Sequence, residues 1–200
     1  WPHTLESNRL YENIVDQPTG VYGGMIGNSW NGTLVSDFVN NTANGLNPIN
    51  NYYSSYGGAI AMYGVSIKSV FINNRLNDSA INSNHNFDQL HYIAGGGAIG
   101  IFEPNNNPAI SGQFINNSLV ADNTPSLGGA ISMYSPYSPY GVENISGNFI
   151  GNYVQSANRS AAGGAIALLK SGYEHSQISI AIADSNFINN HVKSNYAGFG

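Results

Sequence analysis

Apolar residues recur at every second position in short segments of this chain, and turn-forming residues separate the segments. In a typical segment an aliphatic residue, a small residue and a phenylalanine alternate with other residues, as Ile67, Ser69 and Phe71 do. A two-residue period is the pattern of a β-strand. No long stretch has the period of an amphipathic helix. The pattern therefore predicts an all-β protein with no significant helix.

Two tetrapeptide motifs alternate five times along the chain. Copies of Gly-Gly-Ala-Ile (Gly-Gly-Met-Ile in the first) begin at Gly23, Gly57, Gly96, Gly128 and Gly163. Copies of Phe-x-x-Asn begin at Phe38, Phe71, Phe114, Phe149 and Phe187 and end at Asn41, Asn74, Asn117, Asn152 and Asn190. A degenerate further copy, Leu5 to Asn8, is expected near the start. Successive Gly-Gly pairs begin 34, 39, 32 and 35 residues apart, which indicates constant strands joined by variable loops.

A single repeat cannot bury its own apolar face, whereas stacked repeats place like residue on like residue. We therefore predict a single-stranded parallel β-helix, in which each repeat forms one coil of two or three short strands. Parallel crossovers are almost always right-handed, so a right-handed helix is expected. Residues 1–200 are expected to form one segment of about five to six coils, part of a longer solenoid.

Each motif has a structural role in such a stack. The phenylalanines and the final asparagines of the second motif should form ladders along the coils, the rings inside and the asparagines at a bend. Asparagine tolerates a left-handed conformation, and stacked amides can bond to one another. Gly-Gly suits a turn with positive φ or a close approach between coils. In the strand after Gly-Gly, inward pairs such as Ile60 and Met62 should alternate with small residues. These small residues are expected to form a flat face: Ala59, Ala61, Ala98, Gly100, Ala130, Ser132, Ala165 and Ala167.

Composition narrows the functional classes. Only 8% of residues are charged, against roughly a quarter in typical proteins, while there are 24 glycines and 30 asparagines. The net charge of −5 and six scattered Lys and Arg argue against nucleic-acid binding. No apolar run is long enough for a membrane helix, so this segment is not expected to insert directly into a membrane. The lack of cysteine rules out disulfides and thiolate metal sites.

Parallel β-helices also include carbohydrate-active enzymes, which need clustered acidic and basic residues. Here Asp37 and Asp184 are expected to lie four coils apart, and Glu103, Glu143 and Glu174 lie in loops of three different repeats. His85 and His91 share residues 75–95 with Asp78 and Asp88, but their spacing matches no known ligand pattern. We therefore expect no enzyme activity, no cofactor and no metal site, and the enzyme remains an unlikely alternative.

The alternation of Gly-Gly-Ala-Ile and Phe-x-x-Asn, which covers essentially the whole chain, resembles the chlamydial polymorphic outer-membrane proteins and related autotransporter passengers. The resemblance implies adhesion to host cells, export through a C-terminal β-barrel, and self-assembly.

The first hypothesis for function is a non-enzymatic, adhesin-like scaffold at the cell surface or outside the cell. Its loops at 42–56, 75–95, 102–109, 134–141 and 171–177 would bind a host-cell protein or glycan. Tyr134, Tyr137 and Tyr140, with prolines between them, form a possible recognition loop, although rings that pack on the coil edge are the more probable alternative.

The second hypothesis is an extracellular filament or coat, in which copies of the chain pack side by side through the small-residue face or end to end. Glycosylation is possible in a eukaryotic secretory setting at six sequons: Asn31, Asn40, Asn77, Asn116, Asn144 and Asn158.

Overall fold

In the computed structural model, the described residues form 22 β-strands and no helix. The structure describes residues 3–17, 26–29, 32–45, 55–62, 65–78, 93–102, 109–135, 144–170, 180–196 and 198–199. The strands are short because turn-forming residues interrupt the apolar alternation. For this part of the chain, the predicted all-β class is confirmed.

The strands fall into six successive coils. Each complete coil contributes one strand to each of four parallel sheets, which are labelled A, B, C and D in the order in which the chain passes through them. The first coil contains β1 (His3–Tyr11), β2 (Ile14–Gln17) and β3 (Ile26–Ser29). The second contains β4 (Gly32–Val39), β5 (Thr42–Gly45), β6 (Ser55–Tyr56) and β7 (Ile60–Met62). The third contains β8 (Val65–Ile72), β9 (Arg75–Asp78), β10 (Ala94–Gly95) and β11 (Ile99–Phe102). The fourth contains β12 (Ala109–Ile115), β13 (Ser118–Ala121), β14 (Ser126–Leu127) and β15 (Ile131–Ser135). The fifth contains β16 (Asn144–Ile150), β17 (Tyr153–Ser156), β18 (Ala161–Ala162) and β19 (Ile166–Lys170). The sixth contains β20 (Ala181–Ile188), β21 (His191–Ser194) and β22 (Gly198–Phe199).

Each strand pairs in parallel with the strands at the same position in the neighbouring coils, as Phe114 pairs with Phe71 below and Phe149 above. Sheet A has the order β1-β4-β8-β12-β16-β20, and sheet B has the order β2-β5-β9-β13-β17-β21. Sheet C runs from β6 through β10, β14 and β18 to β22, and sheet D from β3 through β7, β11 and β15 to β19.

The predicted parallel β-solenoid is therefore confirmed, with two differences in its details. Each complete coil has four strands, not two or three. The described residues give four complete coils with three strands of a further coil at each end, slightly different from the expected five to six coils. The right-handed winding stays a prediction.

The interior of the stack consists of ladders of identical or similar side chains. Phe38, Phe71, Phe114 and Phe149 are fully buried. Their rings lie nearly parallel, with centroids 4.9, 5.1 and 4.7 Å apart in successive pairs. Because strands in a sheet are about 4.8 Å apart, the coil spacing itself places each ring on the next. The inward aliphatic pairs of sheet D, such as Ile60 and Met62, join the same core.

The two glycines of each Gly-Gly pair are needed for different reasons. The first adopts a left-handed conformation, with φ of +67° at Gly57 and +75° at Gly96. The second allows a close approach between coils, because a Cβ on Gly97 would lie 2.1 Å from the carbonyl oxygen of Gly129. Both expected uses of glycine thus occur at this corner, one at each residue.

The bend after sheet A corrects two details of the sequence interpretation. The left-handed residue is the third of Phe-x-x-Asn, with φ of +57° at Asn40, and not the final asparagine. The final asparagine instead points its amide into the corner, where it bonds to other coils. In the first coil Leu10, and not Leu5, occupies the phenylalanine position, since it pairs with Phe38. The tetrapeptide from Leu10 to Asn13 is therefore the degenerate copy.

The small residues near the start of sheet D do not form an exposed flat face. Ala61 and Ala167 are only 2% and 7% exposed and belong to a cluster with Ile93, Leu127 and Tyr134. Strand alternation turns Ala61 away from the inward Ile60 and Met62, so this cluster lies on the outer side of sheet D. Four others belong to the main core: Ala59, Ala98, Ala130 and Ala165. These small residues are therefore buried within one copy of the chain, and side-by-side assembly of copies stays a prediction.

Candidate functional site

A ladder of side-chain amides runs along the corner between sheets A and B. Each final asparagine of the second motif donates from Nδ2 to Oδ1 of the next, at 2.9 Å from Asn41 to Asn74 and 3.0 Å from Asn74 to Asn117. The same Nδ2 also donates to a main-chain carbonyl oxygen of the preceding coil, as Asn117 does to Phe71 at 3.0 Å. Asn41, Asn74, Asn117 and Asn152 are fully buried. Since these amides are bonded to one another and closed to solvent, they stabilise the stack and do not form a ligand site.

Two of the four corners of each coil are constant in length. Sheet A ends and sheet B begins with two residues between them in all six coils, as between Val39 and Thr42. Sheets C and D are separated by three residues in all four complete coils, as between Tyr56 and Ile60. The amide ladder occupies the first of these corners and the Gly-Gly pairs occupy the second. Stacking interactions of the repeat therefore determine both connections.

The other two corners vary greatly in length. From B to C, the connections of the second to sixth coils have nine, fifteen, four, four and three residues (46–54, 79–93, 122–125, 157–160 and 195–197). From D to A, those after the first to fifth coils have two, two, six, eight and ten residues (30–31, 63–64, 103–108, 136–143 and 171–180). We call these two corners the B–C edge and the D–A edge. Among the connections between described strands of the second to sixth coils, those that differ in length from coil to coil belong to these two edges. The edges are therefore the candidate functional site.

The loops named from the sequence belong to these edges. The predicted loops 42–56 and 75–95 include the two longest B–C connections, and 102–109, 134–141 and 171–177 include D–A connections. Most of their residues lie outside the described ranges: 46–54, 79–92, 103–108, 136–143 and 171–179. A recognition role for them stays a prediction.

Tyr134 does not have the exposure expected of a recognition residue. It is the fourth residue of β15, is only 2% exposed, and packs in the outer cluster of sheet D with Leu127 and Ile93. The physical reason is register, since Tyr134 follows Ser132 by two residues and shares its buried outer side. Tyr137 and Tyr140 lie outside the described residues. Packing on the coil edge, the alternative favoured from the sequence, accounts for Tyr134.

The carboxylates of the described residues do not converge. Asp37 in β4 and Asp184 in β20 lie four coils apart in sheet A, about 19 Å at the usual strand spacing. Within the described ranges, no group of three or more His, Asp or Glu side chains could hold a metal ion. The remaining acids and histidines singled out in the long loops lie outside those ranges: Asp88, Glu103, Glu143, Glu174, His85 and His91.

One hydroxyl on sheet B has a shifted acidity. Burial raises the pKa of Tyr153 above its usual value. The protonated hydroxyl donates a hydrogen bond to Oε1 of Gln155 on the same strand. This contact lies on the outer side of the coil and stabilises the strand surface.

The sequons differ in accessibility. Asn116 and Asn158 are exposed, and Asn40, Asn77 and Asn144 are half-buried, while Asn31 lies outside the described residues. Asn158 donates to Oδ1 of Asn123 in the coil below at 2.9 Å. Asn116 stands at the left-handed position of its bend. Glycosylation at any of them stays a prediction.

Comparisons of the chain with known protein families, curated proteins and solved structures find no match. The described residues contain no helix long and apolar enough to cross a bilayer. By its fold, the chain is a parallel β-solenoid. The resemblance to chlamydial surface proteins continues to rest on its two motifs alone.

Proposed function

We propose that this chain is a non-enzymatic scaffold outside the cell, which presents loops from two edges of a β-solenoid for adhesion to a protein or glycan. The observation that supports the proposal is the contrast between its constant and variable corners. Two corners keep the same length in every complete coil, whereas connections at the B–C and D–A edges range from two to fifteen residues. Connecting segments that vary on a constant scaffold are the usual carriers of recognition.

The repeated residues support the same proposal. The phenylalanine and asparagine ladders are buried, and their polar atoms bond to neighbouring coils. Such ladders hold each coil in register with the next, so loops on one edge leave the rod at intervals of about 4.8 Å per coil. At that interval, loops of adjacent coils are close enough to form one continuous binding surface.

The D–A edge offers a direct test, because the chain contains its own short connection. Residues 136–143 join β15 to β16, and the two residues 63–64 join β7 to β8 between the same two sheets. We expect replacement of 136–143 by Tyr63-Gly64 to leave the circular dichroism spectrum and the Tm unchanged. Binding of the labelled protein to cultured cells or to a glycan array should fall by tenfold or more if this loop carries adhesion.

A matched variant tests the other edge. Residues 46–54 can be replaced by the four residues 122–125, which join the same two sheets in the fourth coil. If the wild-type chain binds neither cells nor glycans, the adhesion proposal is wrong. If binding survives both loop replacements together, these two loops do not carry it. Tyr137→Ser and Tyr140→Ser then locate the contact within the loop 136–143. Tyr134→Ser is unsuitable for this test, because a loss of binding could then result from a loss of stability.

A further inference from the structure

The outer surface at the constant corner between sheets A and B has a column of aliphatic side chains. The residue after each phenylalanine of the second motif points outward, because the phenylalanine itself points inward. In the four complete coils these outward residues pair with one another in register and are half-buried: Val39, Ile72, Ile115 and Ile150. The column is about 14 Å long at the usual strand spacing. A contiguous apolar row on an outer surface is typical of an interaction site.

Amide side chains lie along both sides of this column. On sheet A they precede the aliphatic residue by two positions, as Gln113 and Asn148 do. At the corner they follow it directly, in the left-handed conformation, as Asn73 and Asn116 do. We call these three columns the A–B strip, which consists of residues 37, 39, 40, 70, 72, 73, 113, 115, 116, 148, 150 and 151. Val70 and Gly151 are the places where an amide column is interrupted by an apolar residue or a glycine.

The amides in the middle of the strip have unused bonding capacity. Gln113, Asn73 and Asn116 are exposed, and each side-chain amide offers two N–H donors and one acceptor oxygen. Among the described residues, the side chains of Gln113 and Asn116 make no hydrogen bond. Asn73 donates from Nδ2 to Oδ1 of Asn40 at 3.1 Å, and its own Oδ1 has no donor within the described ranges. Donors and acceptors are therefore available on both sides of the aliphatic column.

The surroundings of the strip limit the kind of partner that it can bind. Only two residues connect sheets A and B in every coil, so no long loop leaves the solenoid at this corner. Asp37 is the only charged residue of the strip. The same side-chain chemistry recurs at intervals of about 4.8 Å from coil to coil. A straight, nearly uncharged and repetitive surface fits a partner that is itself straight, uncharged and repetitive.

An extended β-1,4-linked polysaccharide has this chemistry. Such a chain is a flat ribbon, with C–H groups on the faces of its sugar rings and hydroxyl groups along both edges. The rise of one sugar along the ribbon is similar to the spacing between coils. We propose that the A–B strip binds a neutral β-1,4-linked polysaccharide that lies parallel to the solenoid axis. The ring faces lie on the aliphatic column, and the hydroxyl groups bond to the amides on either side.

This surface is distinct from the loops at the B–C and D–A edges, and the proposal does not rest on adhesion through them. Ile72 and Ile115, in the middle of the strip, provide the test. A double variant, Ile72→Thr with Ile115→Thr, keeps two β-branched side chains that suit a strand, but it places hydroxyl groups on the apolar column. The probes are microcrystalline cellulose and chitin, which share a neutral β-1,4-linked backbone and differ in the N-acetyl group. We expect the wild-type chain to sediment with at least one of them. The double variant should bind at least tenfold more weakly, with an unchanged circular dichroism spectrum.

Val120 provides the matched control. It is half-buried and points outward from sheet B, but it lies outside the strip. Val120→Thr should therefore bind as the wild type does. The variant in which Tyr63-Gly64 replaces 136–143 should also keep full binding, which separates this proposal from adhesion through the loops. The proposal is wrong if the wild type binds neither polymer, if the double variant binds as the wild type does, or if either control loses as much binding as the double variant.

The repetition of the strip predicts a dependence on ligand length. Each further sugar contacts another coil, so the affinity for oligosaccharides of the bound polymer should rise severalfold at each step from two to four sugars. Isothermal titration calorimetry measures these affinities. Equal affinities for the disaccharide and the tetrasaccharide would indicate a single small site and overturn the proposal. If neither polymer binds and the wild-type chain forms dimers that the double variant does not form, a second copy covers this surface, and the polysaccharide is the wrong partner.

Discussion

Substitution of Asn117 tests how much the buried amide ladder stabilises the stack. Its Nδ2 donates to the carbonyl oxygen of Phe71 and to Oδ1 of Asn152, and its Oδ1 accepts from N and Nδ2 of Asn74, all at 3.0 Å. Asn117→Ala removes the acceptor of both Asn74 groups and the donor to Phe71 in a corner closed to water. A buried polar group without a partner costs about 1–3 kcal/mol, and three groups lose their partner, so we expect the free energy of unfolding to fall by about 3–9 kcal/mol.

The residue next to it is the matched control. Asn116 is exposed, has φ of +52°, and its side chain makes no hydrogen bond among the described residues. The fifth coil has Gly151 at the same position, with φ of +63°. We therefore expect Asn116→Gly to change the free energy of unfolding by less than about 0.5 kcal/mol.

Urea unfolding followed by circular dichroism measures both variants. A whole domain is typically stable by only about 5–15 kcal/mol, so the expected loss in Asn117→Ala is large. If that variant loses less than about 1 kcal/mol, or no more than Asn116→Gly, the reasoning from unpaired buried groups is refuted.

Three further predictions follow from the packing. Phe114→Ala should lower the free energy of unfolding by about 3–5 kcal/mol, because its ring is fully buried between the rings of Phe71 and Phe149. A urea titration that shows no loss of stability would contradict this packing. Gly97→Ala should prevent folding, since its Cβ would lie 2.1 Å from a carbonyl oxygen of the next coil. The control Gly198→Ala should retain a wild-type circular dichroism spectrum, because the nearest atom to its Cβ would lie 3.4 Å away. Tyr134→Ser should lower the Tm, because it empties a buried site; an unchanged Tm would contradict its place in the outer cluster.

Several features of the fold could be predicted because the motifs repeat with the same spacing. A side chain that recurs once per coil must stack on its own copies, so Phe71 and Phe114 could be placed in one interior column from the sequence. Two-residue alternation likewise placed Ile60 and Met62 inside. These predictions needed only strand geometry and the burial of apolar surface.

Other features depended on contacts between segments and were missed. The sheet C strands are only two residues long, as in Ser55–Tyr56, which is too short to show alternation. The left-handed residue is Asn40 and not Asn41, because Asn41 is the one of these two adjacent asparagines that turns its amide into the buried corner. A tetrapeptide with asparagine at both positions does not distinguish them.

The candidate site, too, could be predicted from the sequence only in part. Variable loop lengths were visible as unequal distances between motifs, but their collection at two edges depends on the order of sheets around the coil. Tyr134 was identified from a row of tyrosines and prolines, and its burial follows from the outer cluster that Ile93 and Leu127 form with it. Loop composition indicates surface exposure only on average, because a residue just inside a strand takes the exposure of that strand's face.

The sequence by itself determined that this chain is a stack of parallel coils, since repeated apolar and amide positions have no other way to be buried and bonded. Only the tertiary structure decided which surfaces are open. It covers the small residues of sheet D and collects the variable connections at two edges. The physical reason is that the repeated residues determine how each coil stacks on the next. The exposure of a side chain depends instead on which other segments pack against it, and those segments are far away in the sequence.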